Sequence, residues 1–265
     1  MASHALRDVG IRHHAAWIFN GYVVADGGAG TPFIIDAGLP RLVRPLTAEL
    51  SALGATPSDA MVVATHGHTD HVGGIPGLVA RGTERVFLPA KVRDYFGGET
   101  PRGPGPKAVA AIGPVLSDQP FSGGALLEAL RGRTGFGLAG PFQFDAPITG
   151  YLEDGARVPG APDWEVIATP GHTDCSIALY DAKTKTLASG DAVLSVDGRA
   201  WITPEITDRT LATHTESRLR ALDVEHLLPG HGRPISGPDL MGRARAPEDA
   251  PPRGLLATCR RWFRG

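Results

Sequence analysis

The sequence predicts a single α/β domain over residues 1–265, in which short strands lead into polar loops. The chain has 265 residues, 42% of them hydrophobic, and α/β proteins of this size often form one unit. Short β-rich runs alternate with segments of helical periodicity in both halves of the chain. Several of the strand-like runs are followed by loops that contain His or Asp. Polar groups at strand ends are a common way to build a site on a rigid scaffold.

The first half of the chain carries the clearest strand and helix signals. Apolar, β-rich runs predict strands at residues 16–25, 32–36, 60–64 and 85–88. Five apolar residues recur at helical spacing over 41–53, which predicts a helix that Gly54 ends. A shorter helical piece is predicted near 75–80.

The second half repeats this organisation. Strands are predicted at residues 165–169, 176–180, 186–188 and 226–228, with a helix within 208–222. The loops PGHTD, GD and PGHG follow three of these strands. Each of these three strand ends therefore presents an imidazole or a carboxylate.

Between the halves lies a long insertion, about residues 97–150. Of the 29 residues from 97 to 125, seven are Gly and five are Pro. Short helices are expected near 107–113 and 124–131. Long connections in compact domains are often functional, so we expect a lid over the site rather than a surface decoration. The Arg-rich tail, about residues 233–265, is expected to be partly mobile.

Composition and charge exclude several classes of protein. With 26 basic and 28 acidic residues, the net charge of −2 argues against a nucleic-acid partner. No apolar run approaches the ~20 residues that a membrane span needs. The first residues lack the apolar core of a secretory signal, and two cysteines, Cys175 and Cys259, cannot form a disulfide framework. We therefore expect a cytoplasmic protein that acts on a small molecule; its oligomeric state is not predicted.

Seven residues in the strand-end loops form a candidate metal-binding set. Imidazole and carboxylate together suit divalent Zn, Fe or Mn, and alternate residues of an extended loop point the same way. Seven ligands are more than one ion can use with an open position, so two adjacent ions are expected. The set is His66, His68, Asp70, His71, His172, Asp191 and His231.

A purely structural role explains this set poorly. Three imidazoles and a carboxylate within the six residues of HGHTDH gain little as a structural loop, and structural zinc prefers closed, Cys-rich sites. The remaining histidines lack such neighbours and are expected to be surface or capping residues. They are His4, His13, His14, His214 and His226.

The motifs THGHTDH, PGHTDCS, SGD and PGHG, in this order over residues 65–232, resemble those of the metallo-β-lactamase superfamily. The resemblance implies an αββα sandwich with a dimetal site at one edge. It also implies that His66, His68 and His172 bind the first metal, that Asp70, His71 and His231 bind the second, and that Asp191 bridges the two.

The resemblance further implies hydrolysis. Two ions can share a hydroxide, which attacks an ester, thioester, lactone or amide of a small molecule, and stabilise the oxyanion that follows. Zinc is the expected metal of both sites, with iron or manganese as alternatives. Asp70 is in addition the candidate catalytic residue, because it could orient the nucleophile or carry a proton to the leaving group. Residues that bind the substrate are not predicted.

Departures from known subfamilies leave the branch open between glyoxalase II-like and lactonase-like enzymes. Leu194 stands where lactonases of this fold carry Tyr, and only 34 residues follow His231, too few for a glutathione-binding domain. Asp191 and the absence of an export signal argue against an antibiotic β-lactamase. Two alternatives stay open: a mononuclear iron dioxygenase acting on glutathione persulfide, and a metal-binding protein without catalysis.

Overall fold

Two six-stranded sheets stack face to face in the computed structural model, which describes residues 2–105, 110–137 and 140–250. Strands of the first sheet follow chain order, with antiparallel pairing from β1 to β3 and parallel pairing from β3 to β6. Its strands are β1 (Ile11–Ala16), β2 (Phe19–Val24), β3 (Phe33–Ile35), β4 (Met61–Val63), β5 (Arg85–Pro89) and β6 (Gly150–Leu152).

The second sheet has the order β14-β13-β10-β9-β8-β7, and β10 and β13 form its parallel pair. A separate hairpin, β11 and β12, follows the end of β10. The strands are β7 (Arg157–Val158), β8 (Ala161–Ala168), β9 (Ile177–Asp181), β10 (Thr186–Gly190), β11 (Val193–Val196), β12 (Arg199–Ile202), β13 (His226–Pro229) and β14 (Ile235–Ser236).

The helices of the described residues are short, and a 3₁₀ turn at Pro40–Leu42 precedes the second of them. The α-helices are α1 (Ala2–Asp8), α2 (Val43–Ala52), α3 (Thr69–Val72), α4 (Ile75–Val79), α5 (Val92–Phe96), α6 (Gly113–Leu116), α7 (Gly123–Arg131) and α8 (Arg209–Arg220). No helix among the described residues is both long and apolar enough to cross a membrane.

An αββα layering follows from strands that are buried on both faces. In β3 and β4, side chains alternate between the layer shared by the two sheets and the layer beneath the helices: Phe33 faces the other sheet, whereas Ile34 faces α2. Helices α2, α4 and α5 cover the outer face of the first sheet. Leu219 of α8 packs on the outer face of the second. The predicted sandwich is therefore confirmed.

The predicted strand over residues 16–25 was wrong in its bounds. Two strands meet here in a hairpin, with Trp17 at the turn in a left-handed conformation (φ 60°). Strand β1 escaped prediction because its residues IRHHAA are mostly half-buried at a sheet edge and therefore lack an apolar run.

The insertion lies between α5 and β6. Its helix predicted near 124–131 is confirmed as α7, which Ser122 caps by accepting the N–H of Ala125 at 3.3 Å. The helix predicted near 107–113 falls partly outside the described residues.

The first part of the predicted tail is packed against the body of the protein. Strand β14 pairs with β13, the N–H of Arg245 donates to the carbonyl of Ala200 at 2.9 Å, and the indole N–H of Trp201 donates to the carbonyl of Ala246 at 3.0 Å. Residues 251–265, which include Cys259, lie outside the described residues.

We predict that Leu179→Ala lowers the free energy of unfolding by about 2–5 kcal/mol, because Leu179 is fully buried between the sheets. The matched change Leu130→Ala, at a side chain that is 70% exposed on α7, should alter it by less than about 0.5 kcal/mol. Urea unfolding of the two variants measures both values. Equal losses would contradict the assignment of Leu179 to the inter-sheet core.

Candidate metal centre

All seven predicted ligands lie together at one edge of the sandwich, where strands of both sheets end. The first sheet contributes the loop after β4, and the second contributes the loops after β8, β10 and β13. They form two groups, and within each group the candidate ligand atoms lie within 4.8 Å of one another. The groups are His66, His68, His172 and Asp191, and Asp70, His71 and His231.

The loop after β4 turns sharply into α3, and this turn spreads its four ligands over both groups. His68 has an extended backbone and precedes the helix, and its carbonyl accepts the N–H of His71 at 3.0 Å and of Val72 at 3.1 Å. His66 and His68 are therefore on the extended side of the turn. Asp70 and His71 are on the helical side, so one short segment contributes side chains to both groups.

Asp191 and His231 are neighbours because β10 and β13 run parallel and end together. Their register shifts at the last pair, Gly190 with Pro229, and the N–H of Gly230 donates to the carbonyl of Gly190 at 2.8 Å. A Cβ at Gly230 would collide with the Asp191 carboxylate and lie 2.6 Å from Cε1 of His71. Only glycine lets this loop approach the cluster so closely.

Three imidazole nitrogens converge in the first group. Nδ1 of His68 lies 2.9 Å from Nε2 of His66 and 3.3 Å from Nε2 of His172. In the second group, Oδ2 of Asp70 lies 3.3 Å from Nε2 of His231 and 3.9 Å from Nε2 of His71.

Asp191 stands between the two groups. Its Oδ2 lies 3.7 Å from Nε2 of His66, 3.3 Å from Nε2 of His172 and 3.2 Å from Nε2 of His231. Its Oδ1 lies 3.4 Å from Nε2 of His71. One carboxylate therefore faces imidazoles of both groups.

Four of the histidines have a partner on the nitrogen that points away from the cluster. Nδ1 of His71 lies 2.8 Å from Oδ2 of Asp36, and Nδ1 of His66 lies 3.2 Å from the hydroxyl of Thr65. Backbone carbonyls of Glu205 and Ile18 lie 3.2 Å from Nδ1 of His172 and of His231 respectively. Such partners fix the tautomer and ring orientation of a metal-binding histidine.

Asp36 holds residues of the cluster in place and was not predicted from the sequence. Its carboxylate accepts the N–H of Thr65 at 2.7 Å and the hydroxyl of Thr65 at 2.8 Å, besides contacting His71. A usable signal was present: Asp36 is the last residue of the strand predicted at 32–36, and β3 pairs in parallel with β4, the strand leading into His66. Parallel neighbours end at the same edge of a sheet.

Asn20 and Tyr22, both fully buried on β2, were missed as well. The amide of Asn20 donates to the carbonyls of Pro229 and Gly232 at 2.9 and 2.7 Å, and the Tyr22 hydroxyl donates to Pro229 at 2.7 Å. These bonds hold the loop that carries His231. No local sequence pattern connects positions more than 200 residues apart, so this role required the structure.

Burial and charge shift the pKa values of the cluster in opposite directions. Burial together with neighbouring imidazoles lowers the pKa of His68 to about 3 and places that of His66 well below its ordinary value. Burial disfavours the ionised form of Asp191, but facing His231 and His71 outweigh it and hold its pKa well below the ordinary value. The facing Asp191 carboxylate outweighs burial at His71, His172 and His231 and raises their pKa values. Neutral imidazole and ionised carboxylate are the forms that bind metal, so a cation bound here would displace the protons of these three rings.

The residues present fit a bound divalent cation. Nε2 of His71 and Oδ1 of Asp191 are both buried and make no hydrogen bond, although each is aimed at the cluster. Buried polar atoms without partners are rare and call for a missing ion or water. Nitrogen and carboxylate oxygen are donors that Zn, Fe and Mn accept.

The five remaining histidines lie outside these groups, as predicted. Nε2 of His13 lies 2.8 Å from the amide oxygen of Asn20, and Nε2 of His14 lies 3.2 Å from Glu49. Nδ1 of His226 lies 2.9 Å from the hydroxyl of Ser236. These contacts are structural.

Comparison with known proteins finds a family whose sequence pattern this chain matches. A sequence model of the metallo-beta-lactamase superfamily matches residues 18–231. YflN of Bacillus subtilis, described as a probable metallo-hydrolase, is 27% identical over 226 residues, which cover 77% of this chain and 76% of YflN. YqjP of the same organism, with the same description, is also 27% identical over 226 residues, but the match covers 64% of YqjP.

Solved structures share the fold. TTHA1429 of Thermus thermophilus, a metallo-beta-lactamase family protein, has a TM-score of 0.55 and 23% identity, covering 88% of this chain and 76% of that one. TTHA1623, solved in a di-iron-bound form, has a TM-score of 0.56 and 24% identity, covering 91% of this chain and 98% of that one.

We predict that Asp36→Asn weakens zinc binding by roughly 10–100-fold, because it removes the charge that orients His71. Competition against a chromophoric chelator measures this affinity. Asp26→Asn is the matched control, since Asp26 lies outside the cluster and accepts the N–H groups of Gly28 and Gly30 at 2.7 and 2.8 Å, a role that an amide oxygen retains. An unchanged affinity in Asp36→Asn would show that His71 is held without this carboxylate.

Proposed function

Because this chain belongs to the metallo-β-lactamase superfamily, we propose that it is a metal-dependent hydrolase that cleaves an ester, thioester, lactone or amide bond of a small molecule. The observation that carries the proposal is the position of Asp191, whose two oxygens face histidines of both ligand groups. Related chains described as probable metallo-hydrolases support it.

The ligand groups suit two divalent cations. In the proposed site, His66, His68 and His172 hold one, Asp70, His71 and His231 hold the other, and Asp191 lies between them. When bound, such a pair supplies a water that is deprotonated near neutral pH and polarises the bond to be cleaved. Zinc fits this donor set best, and iron is the alternative that the di-iron form of TTHA1623 supports.

Asp70 is the proposed proton carrier. Its side chain is 19% exposed, whereas that of Asp191 is 1% exposed, so Asp70 can meet both the cluster and an entering molecule. Contacts with His231 and His71 outweigh burial and hold the pKa of Asp70 below its ordinary value. In this role its carboxylate orients the attacking water, takes the proton that the water loses on attack and passes that proton to the leaving group.

The insertion is proposed to act as a lid. The Phe136 ring packs against the His68 ring with centroids 4.6 Å apart, and the N–H and carbonyl of Phe136 bond to Gly67 at 2.9 Å and Thr69 at 3.1 Å. Among the other aromatic residues of the insertion, Phe142 and Phe144 stack on each other and Phe121 packs on Trp17. Phe136 is therefore the aromatic side chain proposed to limit the size of the substrate.

The proposed function predicts two metals per chain and hydrolysis that depends on them. Purified protein is analysed for metals by mass spectrometry and assayed with 4-nitrophenyl esters, thioesters and lactones before and after chelation. Activity should disappear with the metals and return with added zinc. One iron per chain together with oxygen consumption on glutathione persulfide would instead establish the dioxygenase.

We predict that Asp191→Ala lowers metal content and hydrolysis together, because two cations lose the charge that screens them from each other. Metal per chain should fall from about two to one or fewer, with kcat/KM down at least about a hundredfold. His226→Gln is the control, since His226 is near His231 in sequence but contacts Ser236. Retention of both metals and full activity would falsify the bridging role.

We predict that Phe136→Leu keeps the metals but changes the preferred acyl group, lowering kcat/KM for the best ester by roughly tenfold, or about 1.4 kcal/mol. Phe121→Leu makes the same change on the same insertion at a residue that packs on Trp17, and it should leave the acyl preference unaltered. Steady-state kinetics over esters of increasing acyl length compare the variants. Identical preferences in both variants would remove Phe136 from the substrate site.

A further inference from the structure

A cavity of about 480 Å³ lies beside the candidate metal centre, between the insertion and the segment Ile206–Thr207. Arg102, Gly103 and Phe136 form its insertion side. Its volume is within the range of small-molecule sites.

The cavity reaches the ligand cluster at His68. Phe136, one of its walls, packs on the His68 ring, and a Cβ at Gly103 would lie 2.9 Å from Nε2 of His68. The absence of a side chain at Gly103 therefore leaves the backbone in contact with a proposed ligand. A molecule in this cavity lies next to the cluster.

Arg102 gives the cavity its charge. Among the described residues that line it, Arg102 is the one ionisable side chain, and the others are Pro, Gly, Phe, Ile and Thr. The Arg102 side chain is 64% exposed, so its guanidinium remains accessible to an entering molecule. A guanidinium presents planar paired N–H donors that match a carboxylate.

A buried carboxylate fixes Arg102 in this place. Asp174, whose side chain is 6% exposed, accepts the N–H of Arg102 on Oδ1 at 3.2 Å and lies 3.6 Å through Oδ2 from Nε of Arg102. Its own N–H donates to the carbonyl of Arg102 at 3.3 Å, and the Tyr95 hydroxyl donates to Oδ1. Asp174 therefore hydrogen-bonds the backbone of Arg102 and lies within ion-pair distance of its Nε. The two terminal nitrogens of the guanidinium are then the ones available to a ligand.

We propose that Arg102 binds a carboxylate of the substrate, so that the enzyme prefers acyl compounds with a carboxylate at the far end of the acyl group. Phe136 and Ile206 provide apolar walls for the hydrocarbon between that carboxylate and the bond to be cleaved. Asp174 is a positioning residue that holds Arg102. This inference rests on the proposed hydrolytic function and adds the substrate class to it.

Two esters with one leaving group test the inference. 4-Nitrophenyl butyrate and mono-4-nitrophenyl succinate differ by a terminal carboxylate in place of a methyl group. The zinc-loaded protein should prefer the succinate ester by at least about tenfold in kcat/KM, and Arg102→Gln should abolish that preference by raising KM for the succinate ester. Arg93→Gln, at an arginine paired with Glu153 at 3.1 Å, is the matched control and should retain it.

A double-mutant cycle tests the role of Asp174. Asp174→Asn should raise KM for the succinate ester alone, and it should have no further effect in the Arg102→Gln background. An effect of equal size in both backgrounds would show that Asp174 acts on folding rather than through Arg102.

Direct binding separates this inference from the proposed function. Titration calorimetry with succinate should show binding to the zinc-loaded protein that Arg102→Gln weakens at least about tenfold, whether or not either ester is cleaved. Cleavage of both esters without a preference that depends on Arg102 overturns the inference and leaves the hydrolase intact. If neither ester is cleaved, Arg102-dependent succinate binding supports the inference, and equal binding by both proteins overturns it.

Discussion

A single buried carboxylate, that of Asp191, organises the whole edge of this sandwich. Four imidazoles face it at 3.2 to 3.7 Å, and it is 1% exposed. Removing an ionised carboxylate from water costs several kcal/mol unless charges of opposite sign surround it. The surrounding loops therefore have to deliver positive charge, whether as protons on the histidines or as cations. The glycine at 230, the parallel ending of β10 and β13, and the turn into α3 each serve that requirement.

The ordering around Asp191 extends outward through a continuous set of hydrogen bonds. Asp36 at the end of β3 holds both His71 and Thr65, while Thr65 in turn contacts His66. On the opposite side, Asn20 and Tyr22 of β2 hold the loop of His231. The ligand side chains thus have little freedom to rotate. Under the proposed function, substrate choice is left to the insertion, where Arg102 and Phe136 lie, while the cluster residues keep their arrangement.

Two different physical signals in the sequence made the layered fold and the seven clustered residues predictable. Strands such as β3 and β4 are buried on both faces, so they appear as short apolar runs that pattern analysis detects. The ligand loops are recognisable because several metal-binding residue types within a few positions have few other uses. Strand β1 lacked both signals, being polar and at an edge. Asp36, Asn20 and Asp174 escaped because each acts on a partner that only strand pairing or the path of the insertion brings near.

The distribution of the seven proposed metal ligands has a consequence for the protein as a whole. Four come from the loop after a strand of the first sheet, and three come from loops of the second. Any cation that binds residues from loops of both sheets joins the two sheets at one edge, in addition to the apolar layer between them. Its binding energy then adds to the free energy of unfolding by mass action, because the unfolded chain cannot assemble the same donors. Metal supply would accordingly set the lifetime of the folded chain. A shortage of metal would raise the unfolded fraction and expose the chain to proteolysis.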